Sequence, residues 1–247
     1  MKLALFADVH ANLEALEACL AHAEEAGAER HAFLGDLVGY GADPGAVLER
    51  VSALLARGAL AVKGNHDAAV VDGDTHEMNA AAAAAIEWTR TRLGAQERAL
   101  LAGLPLVARE GEALLVHGSP EAPERFVYVT DPVRAARALD AAGTRYVFAG
   151  HVHEPVLYYT GAADRPVPFR PVPGVAIPVP SRRRWLAIVG SVGQPRDGNP
   201  AACYALVDLD AGRLTFQRVP YDCRAAAAKV RRAGLPEALA RRLERGT

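Results

Sequence analysis

Several short apolar runs stop, one after another, at residues that can bind a metal or move a proton. The run ALAVKG at 59–64 is followed by Asn65, His66 and Asp67, which do not belong in an apolar core. Further such runs end at Asp8 and His10, at Asp36, at His117, and at His151 and His153. Imidazole, carboxylate and amide oxygen without thiolate suit divalent ions such as manganese, iron and zinc. These groups are too many for one four-coordinate ion and enough for two.

A single Asp or His after a strand is usually a helix cap or a turn residue, so the argument depends on the combination. Five of the eight histidines fall at predicted strand ends, which surface scatter would rarely produce. His22, His31 and His76 follow no such pattern and are interpreted as helix-face, strand-start and loop residues.

The elements that must position these residues follow the pattern of βαβ units. Predicted strands cover 2–8, 31–36, 59–64, 113–118 and 145–150, and predicted helices cover 11–27, 44–57, 131–142 and, as a pair, 79–102. Ligands of open α/β sheets bind beyond the carboxyl ends of the strands, so the five ends are expected to share one crevice. The pairs Asp8/His10 and His151/His153 have the i, i+2 spacing that directs both side chains to one side of an extended backbone. The glycines before Asp36, Asn65 and His151 would allow sharp turns and close approach.

The predicted secondary structure changes after residue 156, where the βαβ pattern ends. Strands predicted at 156–160, 184–190, 202–209 and 213–219 suggest a more antiparallel sheet, and two short helices are predicted at 222–233 and 236–245. We interpret the Pro-rich stretch 166–180 as a surface loop, because the strands after it are too few to form a core alone.

The composition excludes several classes of function. The chain has 247 residues, 51% of them hydrophobic, and a net charge of −1, which gives no reason to expect nucleic-acid or membrane partners. Its three cysteines form no CxxC pair, so neither a disulfide framework nor a thiolate zinc site is predicted. The start MKLALFADVH is too polar for a signal peptide, and no apolar run approaches membrane-spanning length. We expect a cytoplasmic protein.

Five motifs follow one another along the chain: D-x-H (Asp8, His10), G-D (Asp36), G-N-H-D (64–67), a lone His117 and G-H-x-H (150–153). Together they closely resemble the calcineurin-like metallophosphoesterases. The segments GSVGQPRDGNP (190–200) and GLPEALARRL (234–243) resemble a bacterial branch that includes dinucleoside polyphosphate hydrolases and phosphodiesterases. The resemblance implies a single metallophosphoesterase domain over 1–247, with a four-layer α/β/β/α sandwich of two mixed sheets and the metals at one edge.

The resemblance also implies a site. By this likeness one divalent ion is held by Asp8, His10 and His153, the other by Asn65, His117 and His151, with Asp36 bridging both. Two such ions clamp a phosphoryl oxygen and generate a bridging hydroxide that attacks phosphorus in line. His66 would face the substrate, either as the acid that protonates the leaving group or as a cation that holds phosphate. Asp67 either orients His66 or caps the next segment.

One block departs from a branch of the family. Protein phosphatases carry G-D-x-x-D-R-G, whereas this chain has Gly39 and Tyr40 in place of the second Asp and the Arg. The departure argues against a phosphoprotein phosphatase. Tyr40 either lines a pocket for the leaving group or has only a packing role in its glycine-rich loop. Arg196, with Ser191 and Gln194, is a candidate phosphate contact. The alternative is that the GSVGQPR segment is only a structural turn, formed by its two glycines.

The expected function is therefore metal-dependent hydrolysis of phosphodiester or phosphoanhydride bonds in a small phosphorylated, nucleotide-type substrate, with a dinucleoside polyphosphate among the candidates. A nuclease of the same superfamily is the first alternative, and it should carry a basic groove or a capping domain. A non-catalytic, retromer-like scaffold is the second, but such scaffolds tend to have damaged metal sites. Oligomerisation stays open.

Overall fold

The computed structural model describes residues 1–161 and 165–247. The strands of these residues are β1 Lys2–Phe6, β2 Arg30–Phe33, β3 Leu60–Ala61, β4 Val107–Glu110, β5 Ala113–Val116, β6 Tyr146–Ala149, β7 Val156–Thr160, β8 Pro166–Phe169, β9 Ile177–Pro178, β10 Trp185–Ile188, β11 Ala202–Asp208 and β12 Arg213–Val219. The helices are α1 Leu13–Glu25, α2 Pro44–Leu55, α3 Asn65–Asp72, α4 Ala80–Arg92, α5 Ala95–Gly103, α6 Pro132–Ala142, α7 Cys223–Arg232 and α8 Glu237–Arg245.

The strands form two mixed six-stranded sheets within the described residues. The first has the order β3-β2-β1-β11-β12-β9, and the second β4-β5-β6-β10-β7-β8. Strands β1, β2 and β3 are parallel, as are β5, β6 and β10, whereas the remaining neighbours are antiparallel. Each sheet therefore has a group of parallel strands whose carboxyl ends point to the same edge.

The alternation of side chains along the strands builds four layers. Leu3 and Leu5 of β1 pack into the core between the two sheets, together with Phe148 of β6. Ala4 and Phe6 face the opposite way, onto a core shared with α1 and α2. The outer face of the second sheet packs against α6. The predicted four-layer α/β/β/α sandwich is confirmed.

Two sequence-based expectations about local structure are wrong. The Pro-rich stretch 166–180 is not all loop, because it contains β8 and β9. Each lies at the edge of its sheet, where a proline without an N–H is tolerated. The GNHD segment is not an extended strand end either, since α3 begins at Asn65. Strand β4, which pairs with β5, had no predicted counterpart.

The chain ends in a pair of amphipathic helices, α7 and α8, which pack against each other and against α4. Among residues 1–161 and 165–247, no helix combines the length and the apolar character needed to cross a membrane.

Candidate metal centre

The structure brings the predicted ligand residues together at one edge of the sandwich. Each lies just beyond the carboxyl end of a parallel strand: Asp8 and His10 after β1, Asp36 after β2, Asn65 after β3, His117 after β5, and His151 and His153 after β6. All are buried except Asn65, which is half-buried. Three groups of these side chains place their ligand atoms within 4.8 Å of one another: Asp8, His10 and His153; Asp36, His117 and His151; and His10, Asp36 and His66.

The backbone at the site is not extended, contrary to the i, i+2 argument. Positive φ angles occur at Asp8 (53°), His10 (49°), Asp36 (53°), His151 (68°) and His153 (66°). Residues other than glycine rarely adopt a positive φ. Such backbone conformations persist where the surrounding structure imposes them, typically at functional sites. The turns after the strands, rather than strand pleating, therefore aim these side chains.

Gly35 shows why a glycine precedes Asp36. Its φ is +87°, and a Cβ at this position would lie 2.7 Å from the backbone nitrogen of Gly64. Both observations agree with the sharp turn and close approach expected from the sequence.

The first group is built around two facing histidines. The Nε2 atoms of His10 and His153 lie 3.2 Å apart, and Asp8 Oδ1 lies 3.4 Å from Nε2 of His153. The Nδ1 atom of His10 is 3.1 Å from the carbonyl of Val38, and that of His153 is 2.6 Å from the carbonyl of Gln194. Because a carbonyl only accepts, each Nδ1 donates its proton, and each Nε2 presents a lone pair.

Two lone pairs that face each other beside a carboxylate call for a cation between them. Burial lowers the pKa of both His10 and His153 well below its ordinary value, so neither ring supplies that cation by protonation. Burial also raises the pKa of Asp8 to about 7, against the opposing effects of His117 and Arg196, so a bound cation would stabilise its charged form. The donor set therefore fits a divalent ion, with each imidazole oriented by a backbone carbonyl.

In the second group one of the two histidines, His117, is oriented by a backbone carbonyl. His117 Nδ1 donates to the carbonyl of Leu34 at 2.8 Å, and its Nε2 lies 3.0 Å from His151 Nδ1 and 3.1 Å from Asn65 Oδ1. Burial lowers the pKa of His151 to about 3, so this ring is neutral and its Nδ1 can offer a lone pair to a metal ion. Burial alone would also lower the pKa of His117, but the carboxylate of Asp36 outweighs it and raises the value to about 9. This position thus favours positive charge.

Asp36 lies between the two groups. Its Oδ2 is 3.6 Å from His10 Nε2 and 3.4 Å from His117 Nε2, while Oδ1 accepts the backbone N–H of His66 at 2.8 Å. Burial raises the pKa of Asp36, but the surrounding histidines, His117 foremost, reverse the shift and hold it well below the ordinary value. Asp36 is therefore an anion within reach of both groups.

His66 packs among the rings at the His10 end. Its ring lies edge-on to His10, with centroids 4.8 Å apart, and tilted against Tyr40 at 4.4 Å. Its Nδ1 is buried without a hydrogen-bond partner among the described residues, and a Cβ at Gly39 would lie 2.4 Å from it. No carboxylate side chain could occupy position 39 without displacing His66. Burial lowers the pKa of His66.

Asp67 acts as a cap and a loop anchor. Its carboxylate accepts the N–H groups of Gly64 at 2.9 Å, Leu37 at 2.9 Å and Val38 at 3.3 Å. It thereby ties the start of α3 to the loop that carries Asp36, and no hydrogen bond to the His66 ring is present. Of the two interpretations of Asp67, the structure supports the cap.

The GSVGQPR segment lies against the first group. Ser191 Oγ donates to the carbonyl of Asp8 at 2.9 Å and accepts the N–H of Gln194 at 2.8 Å. The Gln194 side chain accepts from Arg196 at 3.1 Å, and the guanidinium of Arg196 lies 5.8 Å from the ring centroid of Tyr40. The segment therefore orients His153 through the Gln194 carbonyl and holds Arg196 beside Tyr40 and His66.

Two aromatic residues at the site escaped the sequence analysis. Tyr128 stacks on His151 with ring centroids 3.7 Å apart and an interplanar angle of 18°, yet is 44% exposed. Phe126 lies edge-on to His117 at 5.9 Å. Both belong to an irregular segment, so periodicity could not detect them; the only signal was an aromatic pair shortly after His117.

Comparison with known proteins agrees with this geometry. The family model of the calcineurin-like phosphoesterase superfamily domain matches residues 1–212. An uncharacterized protein of Methanocaldococcus jannaschii is 32% identical over 98% of this chain and 96% of its own length.

Among solved structures, a metallophosphoesterase from Sphaerobacter thermophilus is 39% identical, covers 100% of this chain and 99% of its own, and superposes with a TM-score of 0.89. A hypothetical protein from Pyrococcus horikoshii OT3, 22% identical over 100% of this chain and 98% of its own, shares the fold with a TM-score of 0.79. The chain belongs to the calcineurin-like metallophosphoesterase superfamily.

Proposed function

We propose that this protein is a metal-dependent phosphoesterase that hydrolyses phosphodiester or phosphoanhydride bonds of a small, nucleotide-type substrate. The observation that carries the proposal is the arrangement of His10 and His153, whose Nε2 lone pairs face each other 3.2 Å apart beside buried carboxylates. Lone pairs that face each other beside carboxylates, on rings held in place by backbone acceptors, are typical of a metal site.

In this proposal Asp8, His10 and His153 would hold one divalent ion, Asn65, His117 and His151 would hold the other, and Asp36 lies within reach of both groups. Manganese, iron and zinc are the candidate ions for such a donor set. When bound, the ions would supply Lewis acidity toward a phosphoryl oxygen and lower the pKa of water.

The remaining roles belong to the side chains of this chain. His66, at the His10 end, donates a proton to the departing oxygen or holds a phosphate oxygen. Arg196, held by Gln194, offers a guanidinium to the non-bridging oxygens, while Tyr40 packs between Arg196 and the two rings of His10 and His66.

The proposal favours diesters and anhydrides over monoesters and phosphoproteins. The block at 35–41 lacks the second Asp and the Arg of the protein phosphatases, and the structure leaves no room for a carboxylate between position 39 and His66 Nδ1. A dianionic monoester therefore has one guanidinium fewer to bind it.

Assays on manganese-loaded protein test the function. We expect turnover of bis-p-nitrophenyl phosphate and diadenosine tetraphosphate, with a higher kcat/KM than for p-nitrophenyl phosphate. Asp8→Asn protein purified in parallel controls for contaminating phosphatases and should be inactive. A preference for the monoester would contradict the substrate class, and inactivity on all three substrates would contradict the function.

A further inference from the structure

A cavity of about 480 Å³ opens directly beside the candidate metal centre. Asn65 and His151 form its inner end, and its walls are formed by α3, by Asp74, Glu77 and Met78, and by the segment 124–128. Its position means that a group attached to a phosphate at the centre would extend into it.

The inner wall of the cavity is aromatic. One face of Tyr128 covers His151, and 44% of the residue stays exposed; Phe126 lies beside it, against His117. The half-buried Met78 adds apolar surface from the opposite side. Such a wall offers π-faces and apolar contact rather than hydrogen bonds.

The outer wall is acidic. Its charged residues are Asp72, Asp74, Glu77 and Glu124 against Arg125 and Arg134, all exposed. Arg134 is paired with a carboxylate outside the cavity, because it lies 3.4 Å from Asp131, and it donates to the carbonyl of Tyr128 in the cavity wall. Four carboxylates against two guanidinium groups leave the side chains at the mouth with a net negative charge, which favours a cationic substituent over an anionic one.

The two ends of the centre consequently differ in charge. The guanidinium of Arg196 lies over Tyr40 at the His10–His153 end, although its charge also acts on Tyr128 and His151. The carboxylates of the cavity lie at the His117–His151 end.

We propose that this cavity binds the positively charged alcohol arm of a phosphodiester, such as a quaternary ammonium or amino alcohol. The proposal rests on the proposed phosphodiesterase function and specifies its substrate class. Cations bind to aromatic faces and to carboxylates, and this cavity combines the two. In the hydrolysis one P–O bond breaks, the oxygen of water takes its place on phosphorus, and the departing alcohol takes a proton. The cationic arm keeps its charge throughout.

The test compares three p-nitrophenyl phosphodiesters on manganese-loaded protein at low ionic strength. Their second arms are choline, its neutral isostere 3,3-dimethylbutanol, and an anionic carboxyalkyl alcohol. We expect kcat/KM for the choline diester to exceed that for the neutral isostere roughly 5- to 30-fold, and the anionic diester to be the poorest substrate. The advantage should fall as salt screens the exposed carboxylates.

Two variants locate the effect. Tyr128→Leu removes the aromatic face and Glu77→Gln removes a charge, so each should reduce the preference for choline. Glu87→Gln is the matched control, because Glu87 is an exposed carboxylate on α4 outside the cavity. A choline diester no better than the neutral one would overturn the proposal, as would a preference that survives both Tyr128→Leu and Glu77→Gln.

The affinities of the protein for phosphocholine and for 3,3-dimethylbutyl phosphate, measured by calorimetry, test the cation site independently of the phosphodiesterase activity. If no diester is hydrolysed, the phosphodiesterase function is wrong, while tighter binding of phosphocholine would still support a cation site in the cavity. Equal or weaker binding of phosphocholine would overturn the cavity proposal whatever the activity.

Discussion

Gly64 lies so close to Asp36 that a Cβ on the glycine would be 2.1 Å from the Oδ1 atom of the carboxylate. The backbone of Gly64 is ordinary, with φ −98° and ψ 173°, so an alanine there would suffer from the contact alone. The residue before the Asn-His pair is thus a glycine because the carboxylate of Asp36 and its backbone nitrogen, 2.2 Å away, occupy the space of a side chain.

Gly64→Ala should therefore weaken metal binding by displacing Asp36, roughly 10- to 100-fold, the cost usual for disturbing the groups around metal ligands. Titration of the metal-free variant with manganese measures this. Gly45→Ala is the control, because nothing lies within 4 Å of a Cβ at that position. Unchanged affinity in Gly64→Ala would mean that Asp36 does not contribute to binding.

His66→Ala separates catalysis from metal binding. If His66 protonates the leaving group, the variant should retain its metal yet lose roughly 10²–10⁴-fold in rate on a poor leaving group, and less on nitrophenyl esters. His76→Ala, which removes an exposed histidine, is the control. An equal loss for good and poor leaving groups would indicate phosphate positioning. Loss of metal would make His66 a ligand, as its place in the third group with His10 and Asp36 allows.

The pattern of the sequence was sufficient to predict the meeting of the strand ends, and its resemblance to a known family predicted the sandwich. Apolar runs that stop at Asp8, Asp36 and His117 mark strand ends, and parallel strands bring those ends to one edge. Helix bounds were also accessible where a cap or a proline marks them, as at Asp131 and Pro132 of α6, whose first-turn N–H groups are capped by the Asp131 side chain.

Other features depend on contacts that no local pattern encodes. Helix α3 begins at Asn65 without a side-chain cap on Gly64; Asp67 accepts the nearby N–H of Gly64 and also ties the helix to the distant N–H groups of Leu37 and Val38. The left-handed backbone at the candidate ligands is imposed by the surrounding turns. Tyr128 reaches His151 because the segment after β5 folds back over the site, which composition does not reveal.

Metal removal should lower thermal stability. Without a cation, the buried carboxylates of Asp8 and Asp36 and the facing histidines stay in an unfavourable arrangement, whereas saturating metal stabilises the folded state by mass action. We expect Tm to fall by roughly 5–15 °C on treatment with EDTA, measured through the two tryptophans, and to recover with manganese. An unchanged Tm would indicate that metal does not bind to the folded protein.

Asp36→Asn should weaken both ions together. Asp36 Oδ2 lies 3.6 Å from His10 Nε2 and 3.4 Å from His117 Nε2, so its negative charge would stabilise an ion in either group. Metal analysis of the reloaded variant should find both sites depleted. Asp8→Asn is the comparison and should deplete mainly the His10–His153 site. Loss of a single ion from Asp36→Asn would make Asp36 a terminal ligand.

The most direct test of the two-ion centre is the metal content of the protein itself. Metal-free protein is dialysed against manganese, freed of excess ion, and analysed by inductively coupled plasma mass spectrometry together with its protein concentration. The donor groups around His10–His153 and His117–His151 predict about two ions per chain. One ion or none after complete reloading would contradict the binuclear centre.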